Sequence, residues 1–142
     1  MDENLKREII MEHYTNPMNK EEFSDDNYVK VNTNNASCID NLDIYILFDK
    51  DIIKDIRFNG EACAISTSST SIMIKNLIGM NVKEALEYVN NFENMVNEKE
   101  YDSDLLKEAN AYDTIYKQNS RKTCALLPYT GIKKVLENFS EN

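Results

Sequence analysis

Residues 42–58 read LDIYILFDKDIIKDIRF, and this stretch decides the fold. Its first half, Leu42–Phe48, alternates apolar and polar residues and is rich in isoleucine, which is typical of a β-strand. Its second half, Ile52–Phe58, has the same character, and Asp49-Lys50-Asp51 separates the two halves. We therefore predict an antiparallel hairpin with a tight turn at 49–51, in which position 42 lies opposite about position 58.

Further elements are predicted on both sides of this hairpin. Before the hairpin, the sequence predicts a helix at 3–14 ended by Asn16-Pro17, a polar loop at 18–27 and a strand at Tyr28–Asn32. After the hairpin, it predicts helices at about 66–78 and 82–93 and a short helix around 103–111 in an irregular stretch. The last predicted helix includes Arg121–Leu126 or starts near Pro128, and it runs to about Phe139. Asn59-Gly60 is expected to break the second hairpin strand, with Gly60 in a turn. Strands followed by helices predict an α+β fold, namely a small antiparallel sheet of about three strands with helices packed on one face. A chain of 142 residues is predicted to be one domain, 1–142.

Composition excludes several classes of function. The formal net charge is −9, which argues against nucleic acid as a partner because phosphate binding needs a basic face. The N-terminus, MDENLKREII, is charged and is not a signal peptide, and apolar runs long enough to span a membrane are absent from the sequence. We therefore expect a cytoplasmic protein whose thiols stay reduced and which has no membrane partner.

The chain has three cysteines, at positions far apart in the sequence. Cys38 and Asp40 precede the strand that begins at 42, and Cys63 follows the second hairpin strand, so the hairpin brings Cys38 and Cys63 to the same end of the sheet. Three thiolates and one carboxylate, with Cys124 as the third thiolate, would make the four ligands of a tetrahedral zinc site. The alternative is that the cysteines are small buried apolar residues, and the residues alone leave both interpretations open.

Two other polar features are interpreted as structural. The Ser/Thr run at 66–71 has neither the Gly-rich loop nor the lysine of a phosphate-binding loop, so we assign it to helix capping and to the surface. His13 is the sole histidine. We interpret it as a surface or packing residue and not as a metal ligand, because it lies alone on a predicted helix.

Four motifs in order resemble a known family over nearly the whole chain. They are Glu12-His13-Tyr14-Thr15-Asn16-Pro17-Met18-Asn19, Ala36-Ser37-Cys38-Ile39-Asp40, Phe58-Asn59-Gly60-Glu61-Ala62-Cys63-Ala64-Ile65-Ser66 and Arg121-Lys122-Thr123-Cys124-Ala125-Leu126-Leu127. The family is that of the U-type iron–sulfur cluster assembly scaffolds, which includes the IscU, NifU N-terminal and SufU proteins. The chain resembles the SufU branch, because Thr123 stands where IscU proteins have a histidine and the Leu-Pro-Pro-Val-Lys motif of IscU is absent. Ile39 stands where the family has a glycine.

The resemblance implies a zinc site at Cys38, Asp40, Cys63 and Cys124. It also implies that Cys38 receives persulfide sulfur from a PLP-dependent cysteine desulfurase of the SufS type and that downstream proteins accept sulfur or Fe–S clusters. Arg121 and Lys122 lie close to Cys124 in sequence and could offset the negative charge of the site or hydrogen-bond a ligand sulfur. Two alternatives remain. In one, iron or an Fe–S cluster assembles on the same ligands, and in the other, the chain is an interaction protein with a purely structural zinc.

Overall fold

The computed structural model describes residues 1–36 and 39–141. Its strands and helices, in chain order, are α1 (Glu3–Thr15), β1 (Val29–Asn34), β2 (Asn41–Asp49), β3 (Ile52–Glu61), α2 (Ala64–Leu77), α3 (Val82–Val96), α4 (Ser103–Leu106) and α5 (Asn119–Glu141). Two short 3₁₀ helices, Lys107–Tyr112 and Ile115–Lys117, lie between α4 and α5. Among the described residues, no helix is long and apolar enough to cross a membrane.

The three strands form one antiparallel sheet in the order β1-β2-β3. Its core face is built from alternate residues such as Leu42, Ile44 and Ile46 of β2, all fully buried, and α5 packs on β1 and β2 while α2 packs on β3. The predicted α+β fold, a small three-stranded antiparallel sheet covered by helices, is confirmed.

The hairpin register differs from the predicted one. Leu42 pairs with Gly60, two positions beyond the predicted partner at 58. Asp49 pairs with Ile52, so the turn consists of two residues only, and an irregularity between Leu47 and Phe48 shifts the register by one further position. The extra residue lies in β3, where the buried Ile53 and Ile56 are three residues apart and not two, whereas the predicted register assumes regular alternation.

Gly60 does not lie in a turn, contrary to the prediction, because β3 continues through it to Glu61. Its φ is +128°, and a Cβ built on it would lie 2.1 Å from the carbonyl oxygen of Asn41. Only glycine permits this close approach of the two backbones. Gly60 therefore fixes the sheet end from which Asp40 and Cys63 emerge.

Helix α2 is the centre of the helical layer and corrects the surface assignment of the Ser/Thr run. All six residues from 66 to 71 are buried, because α2 lies between α1 and α5. Their hydroxyls are satisfied locally or across the helix interface: Ser68 Oγ donates to Ala64 O at 2.7 Å and Thr70 Oγ1 to Ser66 O at 2.7 Å. Small hydroxyl side chains can therefore stay buried here without unpaired polar groups.

The last helix, α5, is continuous from Asn119 and includes Pro128 in its interior. Of the two predicted starts, the earlier one is correct. Pro128 has no N–H, so the carbonyl of Cys124, four residues earlier, lacks its usual helical hydrogen bond. This carbonyl faces the site described next.

Candidate metal centre

Three side chains of metal-ligand type meet at one end of the sheet. Asp40 directly precedes β2, Cys63 joins β3 to α2, and Cys124 lies on α5. One ligand atom from each lies within 4.8 Å of the others. The pairing of Asn41 with Glu61 explains why the first two meet, because the chain leaves the sheet at the same end before β2 and after β3.

Cys63 is the N-cap residue of α2. Its sulfur accepts a hydrogen bond from the Ser66 backbone N–H at 3.4 Å. Cys63 therefore lies at the positive end of the α2 helix dipole. The side chain is half-buried, so the sulfur lies at the border between core and solvent.

Asp40 is buried to 1% exposure, and both of its carboxylate oxygens accept hydrogen bonds. The Cys63 backbone N–H donates to Oδ1 and the Ser66 hydroxyl donates to Oδ2, each at 2.7 Å. Burial raises the pKa of the Asp40 carboxyl, but these hydrogen bonds outweigh burial and hold the pKa below its ordinary value. Asp40 is therefore an ionised ligand-type group held in a fixed orientation.

Cys124 is buried on α5, where its thiol donates to Ser120 O at 3.5 Å. Burial raises the pKa of this thiol to about 12, and the neighbouring Cys63 and Asp40 act in the same direction. Groups that would become negatively charged are thus crowded into one place. A cation bound among these groups would lower the pKa of the Cys124 thiol and favour its deprotonation.

The donor set fits a zinc ion. Two thiolate sulfurs are soft ligands, which favour zinc or an iron–sulfur cluster over Mg²⁺ or Ca²⁺, and zinc also accepts a carboxylate oxygen. Around a tetrahedral zinc with Zn–S of about 2.3 Å, ligand atoms are roughly 3.8 Å apart, so small side-chain movements suffice to bind the ion. Cys38, the fourth predicted ligand, lies outside the described residues.

The Ile39 position does not disturb this arrangement. Ile39 is 68% exposed. The described non-glycine residues with positive φ are Asn19, Lys50, Glu98 and Lys107, and Ile39 is not one of them. A β-branched residue is therefore accommodated before Asp40 without left-handed backbone.

Arg121 is exposed on the first turns of α5 and lines a groove of about 340 Å³ together with Ala64 and Ile65, the two residues after Cys63. Within the described part of the chain, its guanidinium makes no hydrogen bond to either ligand sulfur. Arg121 thus lies on a groove beside the start of α2 and not against a ligand.

His13 lies apart from the ligand cluster, as a packing residue. Its Nδ1 is 2.7 Å from Ser71 Oγ and its Nε2 is 3.3 Å from Glu108 Oε2. The imidazole links α1 to α2 and to the 3₁₀ helix after α4. The interpretation of His13 as a packing residue agrees with these contacts.

Ser66 is the site residue that the sequence interpretation missed. Ser66 belongs to a run of hydroxyl residues, but its position three residues after Cys63 places it in the first turn of α2 beside the cap. A second signal was the spacing of four residues between Cys124 and Pro128, which frees a carbonyl for an outside donor. Ser66 Oγ lies 3.1 Å from that carbonyl oxygen, which shares the hydroxyl proton with Asp40.

Comparison with known proteins agrees with this architecture. A family model described as the NifU-like N terminal domain matches residues 5–125. The chain is 35% identical over 131 residues to a Bacillus subtilis protein named zinc-dependent sulfurtransferase SufU, covering 92% of this chain and 88% of that protein. It is 29% identical over 106 residues to a Thermotoga maritima protein named iron–sulfur cluster assembly scaffold protein IscU, covering 75% of each.

Solved structures show the same fold. A Fervidobacterium islandicum structure, described as a putative iron–sulfur cluster assembly scaffold protein for the SUF system, superposes with a TM-score of 0.85 at 34% identity, covering 96% of this chain and 99% of that one. A NifU-like N-terminal protein from Brucella abortus superposes with a TM-score of 0.84 over 99% of this chain and 97% of that one, and at 15% identity it shows the fold alone.

Proposed function

The chain belongs to the NifU-like N-terminal domain family of iron–sulfur cluster assembly scaffolds, and we propose that it is a zinc-dependent sulfur acceptor that receives persulfide sulfur on Cys38. The observation that carries the proposal is the convergence of Asp40, Cys63 and Cys124 at one end of the sheet. The relative named zinc-dependent sulfurtransferase, which aligns with most of the chain, supports the choice of activity.

The ligands of the proposed site are Cys38, Asp40, Cys63 and Cys124. Bound Zn²⁺ would keep cysteine sulfurs as thiolates at neutral pH and would need no change of its own oxidation state. The chain supplies the orientation: the Cys63 N–H and the Ser66 hydroxyl hold the two oxygens of Asp40, and Cys63 is held at the N-terminus of α2.

The sulfur transfer itself is a thiol exchange at Cys38. The Cys38 thiolate attacks the outer sulfur of the desulfurase persulfide, a new S–S bond forms on Cys38, and the desulfurase cysteine leaves as a thiolate. One S–S bond forms on Cys38 and one S–S bond of the desulfurase persulfide breaks, and its electron pair leaves with the desulfurase cysteine. The step therefore needs no external oxidant or reductant. The exposure of Ile39, the neighbour of Cys38, supports access by a partner at this loop.

The partners of this reaction are a PLP-dependent cysteine desulfurase, for which we propose a SufS-type enzyme, and downstream proteins that accept sulfur or Fe–S clusters. Arg121, at the rim of the groove beside Cys63, is proposed to offset the negative charge of the ligand set. We place the reaction in the cytoplasm, because thiolates and persulfides persist in a reducing compartment.

A second function is favoured by the relative named as an IscU scaffold, namely assembly of an Fe–S cluster on the same four ligands. Reconstitution with Fe²⁺ and sulfide, followed by transfer to an apo-protein, separates the two. Efficient transfer of an intact cluster favours the scaffold, whereas a protein that accepts sulfur yet transfers no cluster favours the sulfur acceptor.

The proposed activity is tested by incubating the protein with a cysteine desulfurase and cysteine, followed by peptide mass spectrometry. The peptide that contains Cys38 should gain about 32 Da, the mass of one sulfur atom. A reaction without cysteine is the control, and Cys38→Ser should lose both the added mass and the stimulation of desulfurase turnover. Persulfide on Cys124 that survives in Cys38→Ser would contradict the assignment and favour the scaffold.

A further inference from the structure

We propose that Ser66 is a positioning residue of the metal site, whose hydroxyl holds the Asp40 carboxylate in its ligating orientation and ties it to the α5 backbone at Cys124. The inference rests on the proposed function, because it takes Asp40, Cys63 and Cys124 to be metal ligands. It goes further in assigning a role to a residue that is not itself a ligand.

Ser66 touches all three ligand-bearing segments. Its hydroxyl donates to Asp40 Oδ2 at 2.7 Å and lies 3.1 Å from the Cys124 carbonyl oxygen. Its Oγ lies 3.6 Å from Cys63 Sγ, and its backbone N–H donates to the same sulfur at 3.4 Å. Because Ser66 is completely buried, water cannot replace these contacts.

The proline in α5 explains why this hydroxyl is needed at Cys124. Pro128 cannot donate to the Cys124 carbonyl, so a donor from outside the helix must satisfy it. The one proton of the Ser66 hydroxyl is shared between two acceptors, with the Asp40 carboxylate nearer than the Cys124 carbonyl. Because Ser66 contacts both groups, it fixes the distance between the Asp40 carboxylate and the backbone of α5 at Cys124.

The consequence is a specific effect on metal affinity. Partners that orient a ligating carboxylate typically change metal affinity by about 10- to 100-fold when they are removed. A serine that only packed α2 against α5 would not have this effect. The chain contains such a serine: Ser69, one turn later on α2, is also fully buried and donates to the Ala125 carbonyl at 2.7 Å, one residue after Cys124.

The experiment compares Ser66→Ala with the matched control Ser69→Ala by titration of the metal-free proteins with Co²⁺, followed by its thiolate charge-transfer absorption. We expect Ser66→Ala to bind Co²⁺ about 10-fold more weakly than wild type, or weaker still, and Ser69→Ala to stay within about threefold. The charge-transfer absorption per bound Co²⁺ should be unchanged, because the sulfurs remain. If Ser66→Ala does not fold, the comparison is made in the Pro128→Ala background, where residue 128 supplies the missing N–H to the Cys124 carbonyl.

A double mutant separates positioning from structural support. In an Asp40→Ala background, Ser66→Ala should cause no further loss of Co²⁺ affinity, because the group that it positions is gone. Equal affinities of Ser66→Ala and Ser69→Ala, or a full Ser66→Ala effect that persists without Asp40, would overturn the proposal while leaving the metal site intact. Wild-type protein that shows no thiolate absorption with Co²⁺ would overturn both the metal site and the role of Ser66.

Discussion

Gly60→Ala should strongly destabilise the protein, because the added Cβ has no room. Gly60 has φ of +128°, and its Cβ would lie 2.1 Å from the Asn41 carbonyl oxygen, with the Leu42 Cα at 3.2 Å. The clash falls on backbone where β2 pairs with β3, so a side-chain movement cannot relieve it. Strands β2 and β3 must separate at the end from which Asp40 and Cys63 emerge.

The magnitude follows from two contributions. A non-glycine residue at positive φ costs about 1–2 kcal/mol. The overlap requires the strands to move apart by about 1 Å, and overpacking of this kind costs typically 1–3 kcal/mol. We therefore expect Gly60→Ala to lower the free energy of unfolding by about 2–5 kcal/mol, and to weaken metal binding because Asp40 and Cys63 shift relative to each other.

Gly79→Ala is the matched control. Gly79 also has positive φ, +97°, but a Cβ there meets nothing within 4 Å, so only the backbone contribution of about 1–2 kcal/mol applies. Urea denaturation of the metal-free proteins measures both free energies of unfolding, and Co²⁺ titration measures the site. If Gly60→Ala costs no more stability than Gly79→Ala, the role of Gly60 in setting the close approach is refuted.

The remaining predictions concern ligands and pH. Asp40→Ala should weaken zinc binding less than Cys63→Ser or Cys124→Ser, because water can replace a carboxylate as a ligand. Competition with a chelator ranks the zinc affinities of the variants. The prediction is contradicted if Asp40→Ala weakens zinc binding most. Cys124→Ser should lower both the metal affinity and the melting temperature of the metal-loaded protein. After treatment with a chelator, the variant should melt at almost the same temperature as chelator-treated wild type. Burial raises the pKa of Glu108, but Lys75 and the nearby imidazole outweigh it, so the pKa is lowered in the folded state. Its contribution to stability is therefore present at neutral pH and lost as pH falls below about 4, and Glu108→Gln should flatten that part of the stability profile measured by urea denaturation.

The sequence predicted those features that depend on local pattern. The strands at 42–48 and 52–58 and the helices follow from periodicity, and hairpin geometry predicts that the segment before β2 and the segment after β3 leave the sheet at the same end. The register did not, because the prediction assumed a three-residue turn and regular alternation, whereas the turn has two residues and the core-facing Ile53 and Ile56 are three residues apart.

Features that depend on contacts between distant segments could not be predicted. Burial of the Ser/Thr run depends on α1 and α5 packing on both sides of α2, which composition does not reveal. The approach of Cys124 to the site depends on where α5 crosses the sheet end. The role of Ser66 needs both Asp40 and the carbonyl freed by Pro128, which lie far from Ser66 in sequence.

The identity of the metal shell is tested most directly by elemental analysis with X-ray absorption at the zinc edge of the purified protein. We predict about one Zn²⁺ per chain in a mixed sulfur–oxygen shell with Zn–S near 2.3 Å. Imidazole nitrogen should be absent from the shell, because the sole histidine, His13, is hydrogen-bonded to Ser71 and Glu108 away from the ligands. A shell that contains histidine nitrogen, or protein that binds no metal through sulfur, would contradict the proposed site.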